Sequence, residues 1–520
     1  MFGRYNSNKF PNQNDASSQA NEDNPSFRLF SDINKNIDKI KEILDNPKDL
    51  KIRHFVVGEN HHSSCLIFLD GLVNKRYIAE DILKNINKSS VKFTNQSSED
   101  MRAILINEVL SSSQVEQSND LDNVMLALLS GDTLLCLDES ETMLIISTQQ
   151  RQKRSIEEPV SEGVVRGPRD GFIESILTNI TLIRQRVRDP NLRFETYKVG
   201  RRSKKDLVLA YIDGITNKEL VAEAKRRLQS IDIDDAPESG IIEQWIEDNF
   251  MSPFPQIQNT ERPDKASTSL IQGRIVILLD GTPFALIAPV TLSGLLQSPE
   301  DYYERWWAGS FIRPLRYVAA FIALFLPSIY IALVAFHPGM IPSKLAFSIA
   351  ATREGVPVPA FIEAMLMEGT MELLREAGIR LPRPIGQTIG IVGGLVIGEA
   401  AVAAGIVSPI MVIVVALTAI ASFSMPSYSF GVTFRILRFG FMLSAASFGL
   451  YGIILAYIAI NIHLANLKSF GVPFTAPFAP TFFKDWKDML IRLPYIMNSR
   501  RPEIVKSEDP IREDTEGREK

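Results

Sequence analysis

The chain has 520 residues, 45% of them hydrophobic, and a formal net charge of −5. That length allows about three domains, and the acidic balance excludes a simple basic nucleic-acid binder. Two cysteines, Cys65 and Cys136, exclude a disulfide scaffold, and their apolar surroundings fit inert buried thiols.

Residues 1–26 are rich in Asn, Gln, Ser and Asp. They lack the apolar core of a secretory signal and predict a disordered arm. From Phe27 the period becomes helical, with Leu29, Ile33, Ile37, Ile40 and Leu44 on one face until Asn46-Pro47 stops it. "KIRHFVV" and "SSCLIFLDG" predict strands. Helical patterns follow near Asn74–Asn87, Glu99–Leu110 and Leu121–Leu129, and "DTLLCLDESETMLIIS" predicts a hairpin. Residues 27–150 therefore read as a mixed α/β subdomain.

A second α/β subdomain covers 151–300. It opens with a charged connector and a basic amphipathic helix that places Phe172, Ile176, Ile180, Ile183 and Val187 on one side. A strand "DLVLAYIDG", a helix "NKELVAEAKRRLQSI" and the pair "GRIVILLDGTPFALIAPV" follow. Three strand-like runs end in Asp-Gly, at Asp70-Gly71, Asp213-Gly214 and Asp280-Gly281. The dipeptide suits tight hairpin turns, and its recurrence hints at duplication.

Residues 301–480 read as a helical membrane domain. A bilayer span needs roughly 20 mostly apolar residues. Stretches at 317–336, 385–407, 409–423 and 439–463 predict four spans. Before the first, Tyr302, Tyr303, Trp306 and Trp307 with Arg313 and Arg316 suit an interfacial anchor, where aromatic rings and arginines meet headgroups; packing beneath the soluble region is the alternative. The amphipathic helix 359–378 mixes Glu363, Glu368 and Glu372 with apolar residues. It would lie flat in the interface, line a water-filled vestibule with its acids, or cross as a fifth span. The charged tail, 481–520, opens basic and ends acidic and proline-broken, which predicts disorder at its end.

Within 385–407, Gly386, Gly390, Gly394 and Gly398 recur every fourth residue, with Ala401 and Gly405 extending the row. Small residues let helix backbones approach where lipid removes the hydrophobic drive. Glu399 stands beside this ridge, on a face shared with Val392, Val396 and Ala403. A mid-span acid faces a cavity, a partner or a water path, so these four are candidate pore-lining residues; the alternative is a protonated or bonded Glu399 inside one subunit. His54, His61, His62 and Cys65 lie near one another in sequence but do not make a tetrahedral metal set. No phosphate loop and no nucleophilic triad is legible, so neither an enzyme nor a cofactor is expected.

These residues carry a resemblance. "VRGPRDGFIESILTNITLIRQRVRDPNL", "SPFPQIQNTERPD", "SPEDYYERWWAGSFIRPLRY", "IPSKLAFSIAATREGVPVP", "LREAGIRLPRPIGQTIGIVGGLVIGEAAV" and "SFGVPFTAP" are similar to the A subunits of spore germinant receptors, the GerA family, from about Glu158 to Pro480. Val358 stands where that family usually has an aromatic. The resemblance implies a nutrient-gated receptor in the spore inner membrane. It implies an oligomer, a pentamer, forming a channel that releases cations. Its implied partners are a transporter-like B subunit that senses the nutrient, a C-subunit lipoprotein and membrane lipid. A signalling scaffold without conductance is the competing reading. The N-terminal domain is expected on the cytoplasmic (core) side, and the number of spans decides the side of the tail.

Overall fold

The computed structural model describes residues 28–57, 62–88, 98–110, 115–149, 158–159, 161–381, 394, 396–486 and 488–512. Two five-stranded antiparallel sheets with covering helices form the N-terminal α/β region, and long apolar helices form the C-terminal region. By contacts the chain divides into one unit of residues up to 155 with 174–196 and 208–213, and a second of 156–173, 197–207 and 214–520.

In the first unit, helix α1 (Ile33–Leu44) starts where the Asp32 carboxylate accepts from Asn34 N–H and stops at left-handed Asp45. Its buried face, Ile33, Ile37, Ile40 and Leu44, packs with Leu29, Cys65, Ile67 and Leu69. Each such side chain contributes roughly 1.5–3 kcal/mol by leaving water. Strands β1 (Leu50–Val57), β2 (His62–Leu69), β3 (Val115–Ser118), β4 (Thr133–Leu137) and β5 (Met143–Ile146) pair in the order β1-β2-β4-β5-β3. Helix α2 (Leu121–Ser130) ends at Gly131, whose φ is 99°. Buried Cys65 and Cys136 face each other across β2 and β4 as free thiols.

Helix α3 runs only over Ile176–Arg186 and buries Thr178, Asn179, Thr181, Leu182, Ile183 and Arg184. Of the expected apolar stripe, Ile183 is buried in the helix, Phe172 and Val187 are buried beyond its ends, and Ile176 and Ile180 are half-buried, so much of the buried face is polar. Arg184 turns inward because Asp49 receives it bidentately at 2.6 and 3.1 Å and Phe194 lies under its guanidinium.

The second sheet repeats the plan of the first. Strands β6 (Leu192–Val199), β7 (Lys205–Ile212), β8 (Gln258–Thr260), β9 (Ile275–Leu279) and β10 (Ala285–Ala288) run in the order β6-β7-β9-β10-β8. Its helices are α4 (Lys218–Gln229), α5 (Ser239–Ile246) and α6 (Pro263–Ile271). "CLIFLDGLVNK" at 65–75 corresponds to "VLAYIDGITNK" at 208–218. In both, the Asp-Gly glycine has positive φ, 92° at Gly71 and 78° at Gly214. In both, the asparagine caps the helix that follows. Gly131 and Gly273, before β4 and β9, also share positive φ.

The helical region contains α7 (Trp306–Ala335), α8 (Ser343–Arg353), α9 (Ala360–Arg380), α10 (Pro409–Phe423) and α11 (Tyr428–Asn466). Among the described residues only α7 and α11 are long and apolar enough to cross a membrane; α10 has 15 residues. Helix α11 is not one rod. Gly449, at φ 60° and ψ −139°, interrupts it in a conformation that a side chain resists, and the arms 428–448 and 450–466 turn back on each other. Phe325 of α7 touches both Phe441 and Tyr457, with ring centroids 4.8 and 6.0 Å away. A Cβ on Gly452 would lie 2.0 Å from the Ser444 carbonyl oxygen. The continuous span expected at 439–463 is therefore a helical hairpin, with arms roughly 31 and 26 Å long at 1.5 Å per residue.

The end of the tail, 513–520, where disorder is expected, lies outside the described residues. Up to Arg512 the tail packs onto its own unit: Arg501 Nε donates to Ile271 O at 2.9 Å, Ser507 Oγ to Ile215 O at 2.7 Å, and Glu508 N to the same carbonyl at 3.0 Å. Loop carbonyls supply acceptors that composition does not reveal.

Candidate functional site

The helical region holds a seam of buried charge. Glu368 and Glu372 stand one turn apart on α9; Arg438 and Arg435 stand one turn apart on α11. The helices run so that Arg438 Nη1 meets Glu368 Oε2 at 2.5 Å and Arg435 Nη1 meets Glu372 Oε2 at 2.9 Å. Glu368 and Arg438 are each about 1% exposed. Arg438 Nε donates to Ala323 O of α7 at 2.8 Å. Pro327 has no N–H for that carbonyl, so the guanidinium supplies the hydrogen bond that the helix lacks. Arg375 extends the seam, donating to Ser422 Oγ at 3.0 Å and lying over Phe423.

A second knot joins α9 to the start of α10. Glu363, fully buried, accepts from Ser408 N and Ser408 Oγ, both at 2.5 Å, with Arg353 of α8 3.6 Å away. Ser408 in turn caps Met411 N–H, and Pro409 holds the first helical position. A carboxylate at a helix N-terminus is favoured by the exposed N–H groups and the dipole. Glu363 Oε2, Glu368 Oε1, Arg353 Nη1, Arg435 Nε and Arg438 Nη2 are buried without hydrogen-bond partners among the described residues. In a dry interior such atoms are costly.

A third cluster lies where the α/β part of this unit enters α7. Asp301 accepts from Arg313 Nε at 3.2 Å and from both Arg316 Nη atoms at 2.9 and 3.0 Å. Arg313 Nη1 also reaches Asp488 Oδ1 at 3.0 Å, and Tyr302 Oη donates to Asp488 at 2.7 Å. Tyr303 Oη donates to Asp264.

The predicted site residues fare unequally. Arg313 and Arg316 are buried on Asp301, and the half-buried Tyr302 and Tyr303 give their hydroxyls to Asp488 and Asp264. Trp307 is exposed and Trp306 half-buried, with their rings 4.1 Å apart. Glu363 and Glu368 do not line a vestibule of this protomer, because α8, α10 and α11 wall them in; Glu372 remains partly exposed. Gly386, Gly390 and Val392 lie outside the described residues. Gly398 is buried, and a Cβ there would stand 3.3 Å from Val412 of α10, whereas none of the described residues comes within 4 Å of a Cβ on Gly394. Ala401 is half-buried. Gly405 does not continue the row: its φ is 67°, and it sits in the turn that ends the helical segment 396–403. Val396, Glu399 and Ala403 are exposed along one side of that segment.

Sequence reasoning passed over Arg435, Arg438, Arg353 and Ser408. Arg435 and Arg438, three apart in an apolar helix and matched by acids four apart on another, were the available signal. Among the described residues no group of three or more His, Cys, Asp or Glu is placed to hold a metal ion.

The family model described as Bacillus/Clostridium GerA spore germination protein matches residues 38–504. Spore germination protein GerLA of Bacillus cereus is 50% identical over 471 residues, covering 91% of this chain and 95% of that protein. Spore germination protein B1 of Bacillus subtilis (strain 168) is 43% identical over 487 residues, covering 94% of this chain and all (100%) of that one. The crystal structure of the N-terminal domain of the A subunit of the Bacillus megaterium spore germinant receptor GerK3 is 35% identical and covers 50% of this chain and 96% of that domain, with a TM-score of 0.41. The chain belongs to the GerA family of spore germination proteins.

Proposed function

We propose that this chain is the A subunit of a nutrient-gated germination receptor, which oligomerises in the spore inner membrane and forms a channel that releases cations as germination begins. Its partners are further copies of itself, in a pentamer, with a transporter-like B subunit that senses the nutrient, a C-subunit lipoprotein and membrane lipid. The helical region crosses the membrane several times, and the N-terminal domain lies on the core side.

One observation carries this reading. Glu399 is exposed on the same side of the segment 396–403 as Val396 and Ala403, while Gly398 turns inward onto α10. An acid left outside its own protomer's packing in an apolar layer needs water or a neighbouring copy. A ring of such faces supports an aqueous path whose carboxylates favour cations, and Val392, four residues before Val396 in the sequence, belongs to the same candidate lining. The row Gly386, Gly390, Gly394 and Gly398 supports close packing around it. Reconstitution of the receptor in liposomes tests the reading: cation flux should appear, and Glu399→Gln or Val396→Ala should change its size or selectivity. Flux and germination rate unchanged by both substitutions would overturn it.

The second reading, a membrane-anchored scaffold without conductance, draws on the pairing of Glu363 and Glu368 inside the protomer, which removes two acids from any path. It expects no flux from the reconstituted complex.

A further inference from the structure

Beside the approach to α7, within the second unit, lies a cavity of about 390 Å³. Among the described residues, four cationic side chains line it, Lys265, Arg274, Arg501 and Arg512, and no carboxylate does. Two are already engaged: Lys265 with Glu162 at 2.5 Å and Arg501 with Asp509 at 2.7 Å. Arg274 is different. It makes no ion pair or side-chain hydrogen bond among the described residues, and its Nε is buried without a partner, as is that of Arg512. The Arg274 guanidinium lies against Gly294, where a Cβ would stand 3.9 and 4.0 Å from its terminal nitrogens. Burial pushes this guanidinium below its ordinary pKa, and the neighbour that opposes the shift is the Tyr302 phenol.

The other walls suit a ligand with some organic body. Tyr302, Tyr303 and Tyr495 line the cavity. The first two have their hydroxyls committed to Asp488 and Asp264, which leaves the rings as surfaces. The side chains of Gln272 and Gln297 add neutral polar groups. An adjoining cavity of about 470 Å³ shares Arg274 and Arg512 and brings in Asp485, Asp488 and Glu503. Those acids are occupied, Asp485 by the backbone N–H groups of Glu503 and Ile504, Asp488 by Arg313 and Tyr302, and Glu503 by Lys484. The volume falls in the range of small-molecule sites, roughly 300–1,000 Å³.

We propose that this cavity binds a phosphate-bearing small anion, held by Arg274 from one wall and Arg512 from the C-terminal segment. A buried guanidinium nitrogen left without a partner is costly, and the arginine fork of donors matches an oxyanion bidentately. Donors arriving from separate segments of chain suit the several oxygens of a phosphate. The phosphate has two sources, a soluble metabolite or the headgroup of an anionic phospholipid, since Tyr302 and Tyr303 stand just ahead of the apolar helix α7.

The test uses the full chain. Inorganic phosphate is titrated calorimetrically into the detergent-purified protein. In a second arm, the melting temperature is measured in nanodiscs of phosphatidylglycerol and of phosphatidylcholine. Saturable phosphate binding points to a soluble ligand, and stabilisation by phosphatidylglycerol alone points to the headgroup; either supports the site. Arg274→Gln and Arg512→Gln should each weaken the effect by about tenfold or more, while Arg226→Gln, on the exposed face of α4, should leave it unchanged. Absence of binding in both arms, or equal loss or retention in all three variants, overturns the proposal. Should Arg274→Gln fail to fold, Arg512→Gln decides alone.

Discussion

Arg438 donates through Nε to the carbonyl oxygen of Ala323, 2.8 Å away on a neighbouring helix. That carbonyl is the one Pro327, four residues on, cannot serve. A proline in one helix is thus stabilised by an arginine in another, and the same arginine holds Glu368 at 2.5 Å. The guanidinium binds three helices together.

Restoring the missing N–H should loosen this dependence. Arg438→Leu alone is expected to cost about 3–5 kcal/mol, because it leaves Glu368 buried and uncompensated. In a Pro327→Ala background the Ala323 carbonyl regains an intrahelical donor, and the penalty should fall by about 1 kcal/mol. A double-mutant cycle on denaturant unfolding in detergent reads the difference, and strict additivity would refute the link.

Replacing both charges should be better tolerated than replacing one. Glu368→Met with Arg438→Leu is expected to recover most of the stability lost in either single variant, since buried pairs are costly to split and cheaper to remove together. Melting temperatures of the three variants decide it, and a double variant worse than both singles contradicts the pairing.

The turn of α11 should not tolerate a side chain. At Gly449 a Cβ would lie 2.9 Å from the Phe336 Cβ and 3.0 Å from His337 Nε2, in a backbone region that resists side chains. Gly449→Ala is expected to cost about 2–4 kcal/mol. Gly471, with φ 79° and open space around it, is the control. Gly471→Ala should cost about 1–2 kcal/mol. Comparable yields and melting temperatures for the two variants would contradict the hairpin.

Removing the Asp301 charge should unsettle the entry to α7. Asp301→Asn leaves Arg316 without its bidentate acceptor and Arg313 with Asp488 alone, and a loss of about 3–5 kcal/mol is expected. Asp488→Asn, on the more exposed side of the cluster, should cost less. Equal effects of the two substitutions on unfolding would displace Asp301 as the hub.

One carboxyl should give a pH signature. Burial, reinforced by Glu247 and Glu238, pushes the Glu243 carboxyl up to about 8. The folded state therefore holds a proton that the unfolded chain releases at lower pH. The stability from this group is complete in acid and is lost as pH rises from the ordinary carboxylate range through about 8. Glu243→Gln should be nearly neutral at low pH and stabilising above about pH 8, as measured by unfolding across that window.

Much of the fold was legible in one dimension. The stripe from Leu29 to Leu44, the strands around Cys65 and Cys136, and the Asp280-Gly281 turn between β9 and β10 follow from local period and turn chemistry, which need only neighbours along the chain. The Asp-Gly recurrences hinted at repetition, and the strand orders and matching glycine angles give it a shared plan. The partners of charged residues were not legible. Arg184 finds Asp49 over 135 residues, Arg438 finds Glu368 over 70, and Arg313 finds Asp488 over 175.

The sequence by itself determined the divided character of this protein, an α/β region followed by apolar helices, because burial pattern and helix length are properties of local composition. It also placed a glutamate in an apolar segment at 399. Only the tertiary structure decided which charges are buried and with whom, that the last apolar stretch folds back at Gly449, and that Glu399 stays exposed while Glu363 and Glu368 are enclosed. Those outcomes depend on which distant side chains arrive within a few ångströms; the spacing of Arg435 and Arg438 and of Glu368 and Glu372 marks charged helix faces but not which face meets which.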